Sequence, residues 1–407
     1  MSRTLRWTVG LSILCIFFYL ALTYAFYANV ATRVLGANDY YSRWEGARQF
    51  FLNGLDPYSD QVTQQIQTGM FGHVVPPNQD QVAFAYPFYA VFFTYPFISM
   101  PFALASSFWI GLLIMLIGGA AIALAIHFEW RLSVFALLGV LGFALFGYPS
   151  LRGIFLGQYV LITTACLAFS LLLLKHEQDT WAGFLLALAT VKPHIMIVVL
   201  MVILAWGAWH RRWRLFVGFS ATMTFLVFAS LLALPAWLGE FVGAVGHYQN
   251  YIELGPPIQV LFENVLPVTP ADNLAFIFTV LLYGGLLYQL WRTLGLSWRN
   301  FVPTIELALI VTTMTMIRTA TTDQTLLLVP WLHWLGNLTR AGRSGQALLI
   351  ASGILVLPWL LFLTTIQGNQ EAPIATTGMV TLTLIAYVMI YWREWVPARR
   401  VRESNPV

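Results

Sequence analysis

The stretch 103-ALASSFWIGLLIMLIGGAAIALAIH-127 contains no Asp, Glu, Lys or Arg. A bilayer core about 30 Å thick is crossed by roughly 20 apolar residues in a helix, so this segment reads as a transmembrane helix. Working outward, similar runs recur at 7–29, 132–148, 157–175, 179–191, 193–209, 214–235, 272–291, 302–317, 325–338, 346–366 and 374–392, giving twelve expected spans in a single integral membrane domain, 1–407. Within 179–209 the pair Lys192-Pro193 interrupts the apolar run and leaves two short halves. That pattern predicts discontinuous helices that stop within the bilayer. A second arrangement with the same total takes 85–101 as a span and 180–209 as one helix. The expected fold class is an all-α polytopic membrane protein of about 12 transmembrane helices, with amphipathic helical structure in the first outer loop. The first run has an apolar core of about 20 residues, longer than the roughly 7 to 15 of a cleaved signal, and no clear A-x-A site follows; it predicts an uncleaved anchor.

Composition agrees with this reading. The 407 residues are 59% hydrophobic and 9% charged, with a mean hydropathy of +0.73. Soluble domains carry roughly 25% charged residues, so soluble enzymes, secreted modules and disordered proteins are excluded. The 21 basic residues are nineteen Arg and two Lys, Lys175 and Lys192, against 17 acids. A net charge of +4 points to no nucleic-acid partner, because the cations first serve to orient the chain in the membrane. Cys15 and Cys166 both fall inside apolar runs, which argues against a disulfide framework or a cysteine metal site.

Fifteen of the 21 cations fall on one side of the twelve-span arrangement, among them Arg3, Arg6, Arg211, Arg212, Arg214, Arg340, Arg343 and the tail from Arg393 to Arg402. Positive charge marks the cytoplasmic side, so both termini are expected there, in a multi-pass protein of the cell membrane. Six cations remain outside: Arg33, Arg43, Arg48, Arg152, Lys192 and Arg318. The outer side also holds the two long connecting segments. Segment 30–84 carries Asp39, Glu45, Asp56, Asp60 and Asp80, and segment 236–271 carries Glu240, Glu253 and Glu263 with no Lys or Arg. Loops on a rigid scaffold carry function, so the working face is expected to be extracytoplasmic.

In 38-NDYYSRWEGARQFFLNGLDPY-58, Asn38 or Asp39 can cap a helix whose Tyr41, Trp44, Ala47, Phe51 and Leu52 recur at three- and four-residue spacing until Asn53-Gly54 stops it. This predicts an amphipathic helix on the outer surface with Asp39 at the membrane boundary. Three cations recur at like depth. Arg152 stands with Gln158 and Tyr159 in 149-PSLRGIFLGQYVLITT-164, Lys192 with His194 in 190-TVKPHIMIVV-199, and Arg318 with Asp323 in 316-MIRTATTDQTLLLVP-330. A plain N-cap also accounts for Asp39, and reach to headgroups accounts for any one of the cations. Three such cations on one face invite a functional reading. Glu306 and His333 lie within spans, where interhelical hydrogen bonding is the expected role. His247, Tyr248 and Glu253 are acceptor-site candidates in the second outer segment, alongside the alternative of a solvated loop face.

A boundary carboxylate facing cations among apolar walls suits sugar transfer from a lipid-linked donor. The carboxylate supplies a general base for the acceptor hydroxyl. Arg152, Lys192 and Arg318 are the candidates for the charge that grows on a departing polyprenyl phosphate. Tyr40, Tyr41, Trp44 and Tyr86 are candidate sugar-flanking rings, with Gln158, His194, Asp323 and His247 as further substrate contacts. No HExxH, P-loop or GxSxG signature occurs. Asp56 and Asp60 are four apart and the first loop has no D-x-D, so no metal or other cofactor is called for.

At these residues the chain resembles glycosyltransferase family 87, a polytopic C-type family that uses polyprenyl-phosphate sugars. The resemblance rests on the run from Asp39 to Arg48 continued by Asn53-Gly54-Leu55-Asp56-Pro57-Tyr58, on Phe84-Ala85-Tyr86-Pro87, and on Gly157-Gln158, Ala182-Gly183 and Lys192-Pro193, which look like the family's F-x-Y-P, G-Q, A-G and K-P signatures. It spans residues 30–200. It implies an inverting transfer with Asp39 as the catalytic base, a mannose donor as in the best-known members, and a lipid or glycan acceptor. One departure stands out: Thr319-Ala320-Thr321-Thr322-Asp323-Gln324 replaces an S-P-x-S-W-x-H-H stretch, so Arg318 is taken in place of a histidine contact to the donor phosphate. The competing expectations are a lipid-linked glycan transporter or flippase, suggested by many spans and broken helices, and a non-catalytic envelope-assembly subunit.

Overall fold

The computed structural model of the chain describes residues 3–33, 38–77, 79–131, 133–248, 255–317, 319–366 and 371–395. Arg318, Glu253 and the tail cations Arg399, Arg400 and Arg402 lie outside the described residues, as does the side chain of Tyr248.

Among the described residues every regular element is a helix, and all twelve expected apolar segments fall on helices. Six are long and apolar enough to cross a membrane: Ser12–Ala31, Phe102–His127, Trp213–Ala233, Val268–Thr293, Ser344–Thr365 and Pro373–Trp392. The pair Val134–Phe146 and Tyr148–Leu156, bent by 58°, counts as a seventh if read as one broken span. The number twelve thus describes apolar helical segments rather than full-length spans. Three of the remainder, Val160–Lys175, Asp179–Val191 and Pro193–Trp209, are apolar but shorter. The 17 residues of Pro193–Trp209 rise only about 26 Å at 1.5 Å per residue.

Local chemistry accounts for the breaks. Lys192 precedes a proline, which disfavours helical geometry at that residue, and it sits at φ −122°, ψ 79° between the turn Ala189–Val191 and the helix Pro193–Trp209. Residues 85–101 do not form a span: Ala90–Thr94 is five residues long and runs into the short turn Tyr95–Phe97. The helix Asp179–Leu188 packs closely on Trp213–Ala233 through glycines. A Cβ on Gly183 would meet the Leu215 carbonyl oxygen at 2.2 Å, and one on Gly218 would meet that of Thr180 at 2.0 Å. Small residues let membrane helices approach in this way, which gives the Ala182-Gly183 pair a packing role.

Glu306 ties three helices together. Its Oε1 lies 2.5 Å from His333 Nδ1, and its Oε2 accepts from Trp334 Nε1 and the Tyr391 hydroxyl, each at 3.0 Å. This is the interhelical hydrogen bonding expected of both residues.

The first outer segment departs from its expected placement. The helix Asn38–Asn53 forms, but it is embedded rather than laid on the surface. Tyr40 and Ala47 are fully buried and Trp44 nearly so. The Tyr40 ring stacks on Trp109 at 4.3 Å, Trp44 Nε1 donates to the Phe97 carbonyl (3.1 Å), and Arg48 donates to that of Ile98 (2.8 Å). Gly46 lets Phe84 press against the helix, where a Cβ would sit 2.9 Å from the ring. Polar Ser42, Glu45 and Gln49 are buried as well, so an apolar stripe alone could not reveal that the helix is enclosed on several sides.

Candidate functional site

Asp39 is half buried in the first turn of Asn38–Asn53. Its Oδ2 accepts a hydrogen bond from Gln158 Nε2, a contact 119 residues away in sequence. Gln158 is set in place by Gly157, whose φ of +73° is open to glycine at little cost. The Gln158 N–H donates to the Gly153 carbonyl (2.9 Å), and Trp109 Nε1 donates to that of Gly157 (3.0 Å). One turn beyond Asp39, the Arg43 guanidinium donates to the Tyr86 hydroxyl (3.0 Å) and lies 4.5 Å from its ring centroid. Asp39 acts electrostatically on Arg43, and both Arg43 and Tyr86 act on Lys192.

Lys192 forms a buried ion pair with Asp323, whose side chain is fully enclosed. The other Asp323 oxygen accepts from the Ala320 N–H (3.0 Å), fastening the turn Thr321–Leu327. A hydrogen bond from the Tyr89 hydroxyl to the Thr190 carbonyl (2.9 Å) holds the segment leading to Lys192. Gln158–Asp39, Arg43–Tyr86 and Lys192–Asp323 are thus three bonded pairs that lie within electrostatic reach of one another.

Arg152 belongs to a neighbouring cluster. Its Nε pairs with Glu371 Oε1 at 2.8 Å; Tyr148 donates to the same carboxylate, and Thr321 donates to its Oε2 at 2.6 Å. Thr321 and Asp323 share one turn, so that turn joins the two cation clusters.

The other candidates are distributed as follows. Tyr41 packs on Phe102 with ring centroids 4.7 Å apart, so Tyr40, Tyr41 and Trp44 all take part in docking their helix. His194 is half buried in the first turn of Pro193–Trp209, and His247 is exposed near the end of Trp237–Tyr248. The sequence reading did not single out Arg43, Asp80 or Glu371. In the sequence Arg43 shows only as an expected outer cation four residues from Asp39, and Glu371 has no mark beyond its charge.

Two loop carboxyls are raised above their ordinary range. Asp80 is pushed up mainly by burial, opposed by the Val82 N–H, with Asp39 adding to the rise and Arg43 opposing it. Glu240 is pushed up to about 7 by burial and by sharing a hydrogen bond and charge with Asp56. Two carboxylates have no donor between them unless one keeps its proton. This pair joins the second outer segment to the first, next to the contact of Trp237 with Tyr89 (6.1 Å). Among the described residues no three His, Cys, Asp or Glu side chains converge as a metal-holding group.

The described residues are all-helical, with six or seven apolar helices long enough to cross a membrane, and they bring Asp39 and Arg43 of Asn38–Asn53 toward the buried Lys192 at a helix break; the class is that of a multi-pass membrane protein. Residues 84–257 match the family model of glycosyltransferase family 87. The match includes the Phe84, Gly157, Ala182 and Lys192 signatures and begins after Asp39. No curated protein and no solved structure matches the chain.

Proposed function

We propose that the protein transfers a hexose, mannose in the first instance, from a polyprenyl-phosphate donor to a lipid or glycan acceptor at the extracytoplasmic face, with inversion and with Asp39 as the base. The observation that supports this reading is that the bonded pairs Gln158–Asp39, Arg43–Tyr86 and Lys192–Asp323 gather within electrostatic reach of one another. In the proposed reaction the acceptor O–H proton passes to Asp39 as the oxygen bonds to the anomeric carbon. The bond from that carbon to the phosphate oxygen breaks, and its electron pair leaves with the polyprenyl phosphate. Fixed cations in a site poor in water stabilise that growing charge without reorganising. Arg43 and Lys192 are the assigned partners, with Arg152 and Arg318 completing the proposed cation set. Membrane lipid takes the donor's chain between the apolar helices.

The test is incubation of the purified full chain with a panel of polyprenyl-phosphate sugars, followed by mass spectrometry of released polyprenyl phosphate. One donor should be consumed by the wild type and left intact by Asp39→Asn. Full turnover by Asp39→Asn overturns the assignment of the base, and no turnover of any donor overturns the donor class.

A further inference from the structure

The amide of Gln158 faces two ways. Its Nε2 donates to Asp39 Oδ2, while its Oε1 is buried without a partner. The residue is 9% exposed, so water does not readily serve that oxygen. A carboxylate only accepts, which fixes the nitrogen as the atom turned toward Asp39. The opposite oxygen is left as a buried acceptor, and such groups are rare unless a donor arrives.

The backbone that carries Gln158 has little freedom. Gly157 is held by Trp109, Gln158 by Gly153, and the Tyr159 ring lies 5.1 Å from Tyr86 and 5.2 Å from Trp109. The amide is therefore placed by the fold before any substrate binds. A residue kept only for packing would have both ends of its amide satisfied or neither end aimed at a candidate base.

The geometry points to Gln158 as the positioning residue of the site. Its Nε2 holds the Asp39 carboxylate in one orientation, with Oδ1 left for the incoming hydroxyl, and its Oε1 receives a hydroxyl hydrogen of the bound sugar substrate. This rests on the reading of Asp39 as the base, and it adds a role that the base assignment does not require. Gln158 exchanges no proton: the proton goes from the acceptor oxygen to Asp39, and Gln158 fixes where Asp39 stands when it arrives. Small misplacements of a reacting group cost on the order of 100-fold in rate.

The experiment compares full-length wild type, Gln158→Met, Gln158→Glu, Asp39→Asn and the double variant Asp39→Asn/Gln158→Met in lipid, using a polyprenyl-phosphate hexose that the wild type consumes. Gln158→Met should lower kcat on the order of 100-fold with donor KM changed little, and the double variant should be no slower than Asp39→Asn alone. Gln158→Glu keeps the size of the side chain and can donate to Asp39 only while it holds a proton. Its activity should therefore exceed that of Gln158→Met in acid and fall as the pH rises, a profile that lost packing would not produce and one still readable if Gln158→Met fails to fold. Donor and acceptor analogues lacking one hydroxyl identify the sugar that meets Oε1: one of them should be poor with wild type and no worse than its parent with Gln158→Met. Wild-type kcat in Gln158→Met, full multiplication of the two single losses in the double variant, or a Gln158→Glu profile parallel to wild type overturns the positioning role. Unchanged discrimination of every analogue by Gln158→Met overturns the role of Oε1. Full activity in Asp39→Asn is a separate result: it removes the base and leaves Gln158 nothing to position.

Discussion

Substitution of Asp323 by Asn removes one negative charge from a fully enclosed site and leaves Lys192, whose side chain is 8% exposed, without its counterion. Breaking a buried pair from one side costs about 3–5 kcal/mol, because the remaining charge is stranded in a medium that solvates it poorly. The Asn side chain keeps an oxygen that can accept from the Ala320 N–H, so the loss should lie near the lower bound, about 3 kcal/mol. Lys192→Met should cost a similar amount by stranding Asp323. The double variant Lys192→Met/Asp323→Asn removes both charges and should recover most of the loss, since the cost of each single variant is the charge it strands. The assay is equilibrium unfolding of the four proteins in one detergent, read as a double-mutant cycle. Single losses below about 1 kcal/mol would mean that the pair is solvated like a surface bridge. Equal losses that simply add in the double variant would mean that Lys192 and Asp323 do not sense each other. The double variant, although stable, should not turn over a polyprenyl-phosphate donor, which separates the stability of the pair from its proposed use.

Three further outcomes are expected. Glu240 is protonated below its raised value of about 7, and in that form it can donate to Asp56, so the contact between segments 236–271 and 30–84 is present in acid and lost as the pH rises through 7; Glu240→Gln should remove the corresponding part of the fall in thermal midpoint between pH 6 and pH 8, and an unchanged slope would refute the raised value. Glu371→Gln should free Arg152 from its ion pair and lower the KM for donor severalfold with kcat little changed, whereas a raised KM would show that Arg152 needs its carboxylate partner. In a cysteine-free background, His247→Cys should react with an impermeant thiol reagent added outside intact cells and Arg343→Cys only after permeabilisation; the reverse pattern would invert the proposed orientation.

The apolar segments were legible because each depends on a local quantity, the length of a run without charge. What the sequence could not weigh was how much of a run is spent inside the protein. Pro193–Trp209 and Val160–Lys175 are apolar enough to read as spans, yet both are short; Val160–Lys175 is mostly buried among neighbouring helices, and Pro193–Trp209 buries one face while Ile197, Met201 and Trp209 stay exposed. The break at Lys192-Pro193 was readable from the restriction that proline places on its predecessor. The enclosure of Asn38–Asn53 was not, because buried Ser42, Glu45 and Gln49 look like a solvated face until their partners are known. Gln49 donates to Glu45 at 2.6 Å, a pairing at i and i+4 that satisfies both side chains without water. Gln158 and Asp39 are separated by 119 residues, and their meeting depends on how the turn at Gly157 packs on Trp109.

The candidate cations have a common property that their sequence positions conceal. Lys192 faces Asp323, Arg152 faces Glu371, and Arg43 feels Asp39. Isolated buried charges are costly, and Lys192 and Arg152 are each paired before any substrate arrives. A phosphate entering such a site must compete with a resident carboxylate for its cation. Asp323 is poorly placed to yield, being fully enclosed and bound to the Ala320 N–H. Glu371 pairs with an Arg152 side chain that remains 26% exposed, and water can take over part of what that pair loses. Arg43 is bonded to a neutral hydroxyl, that of Tyr86, and feels Asp39 without an ion pair between them, so on the proposed chemistry protonation of Asp39 removes an attraction on Arg43 as the leaving phosphate gains its charge. On the proposed chemistry, then, Arg43 is the cation with no resident carboxylate to displace, and it joins Arg152, Lys192 and Arg318 as a candidate for the leaving phosphate.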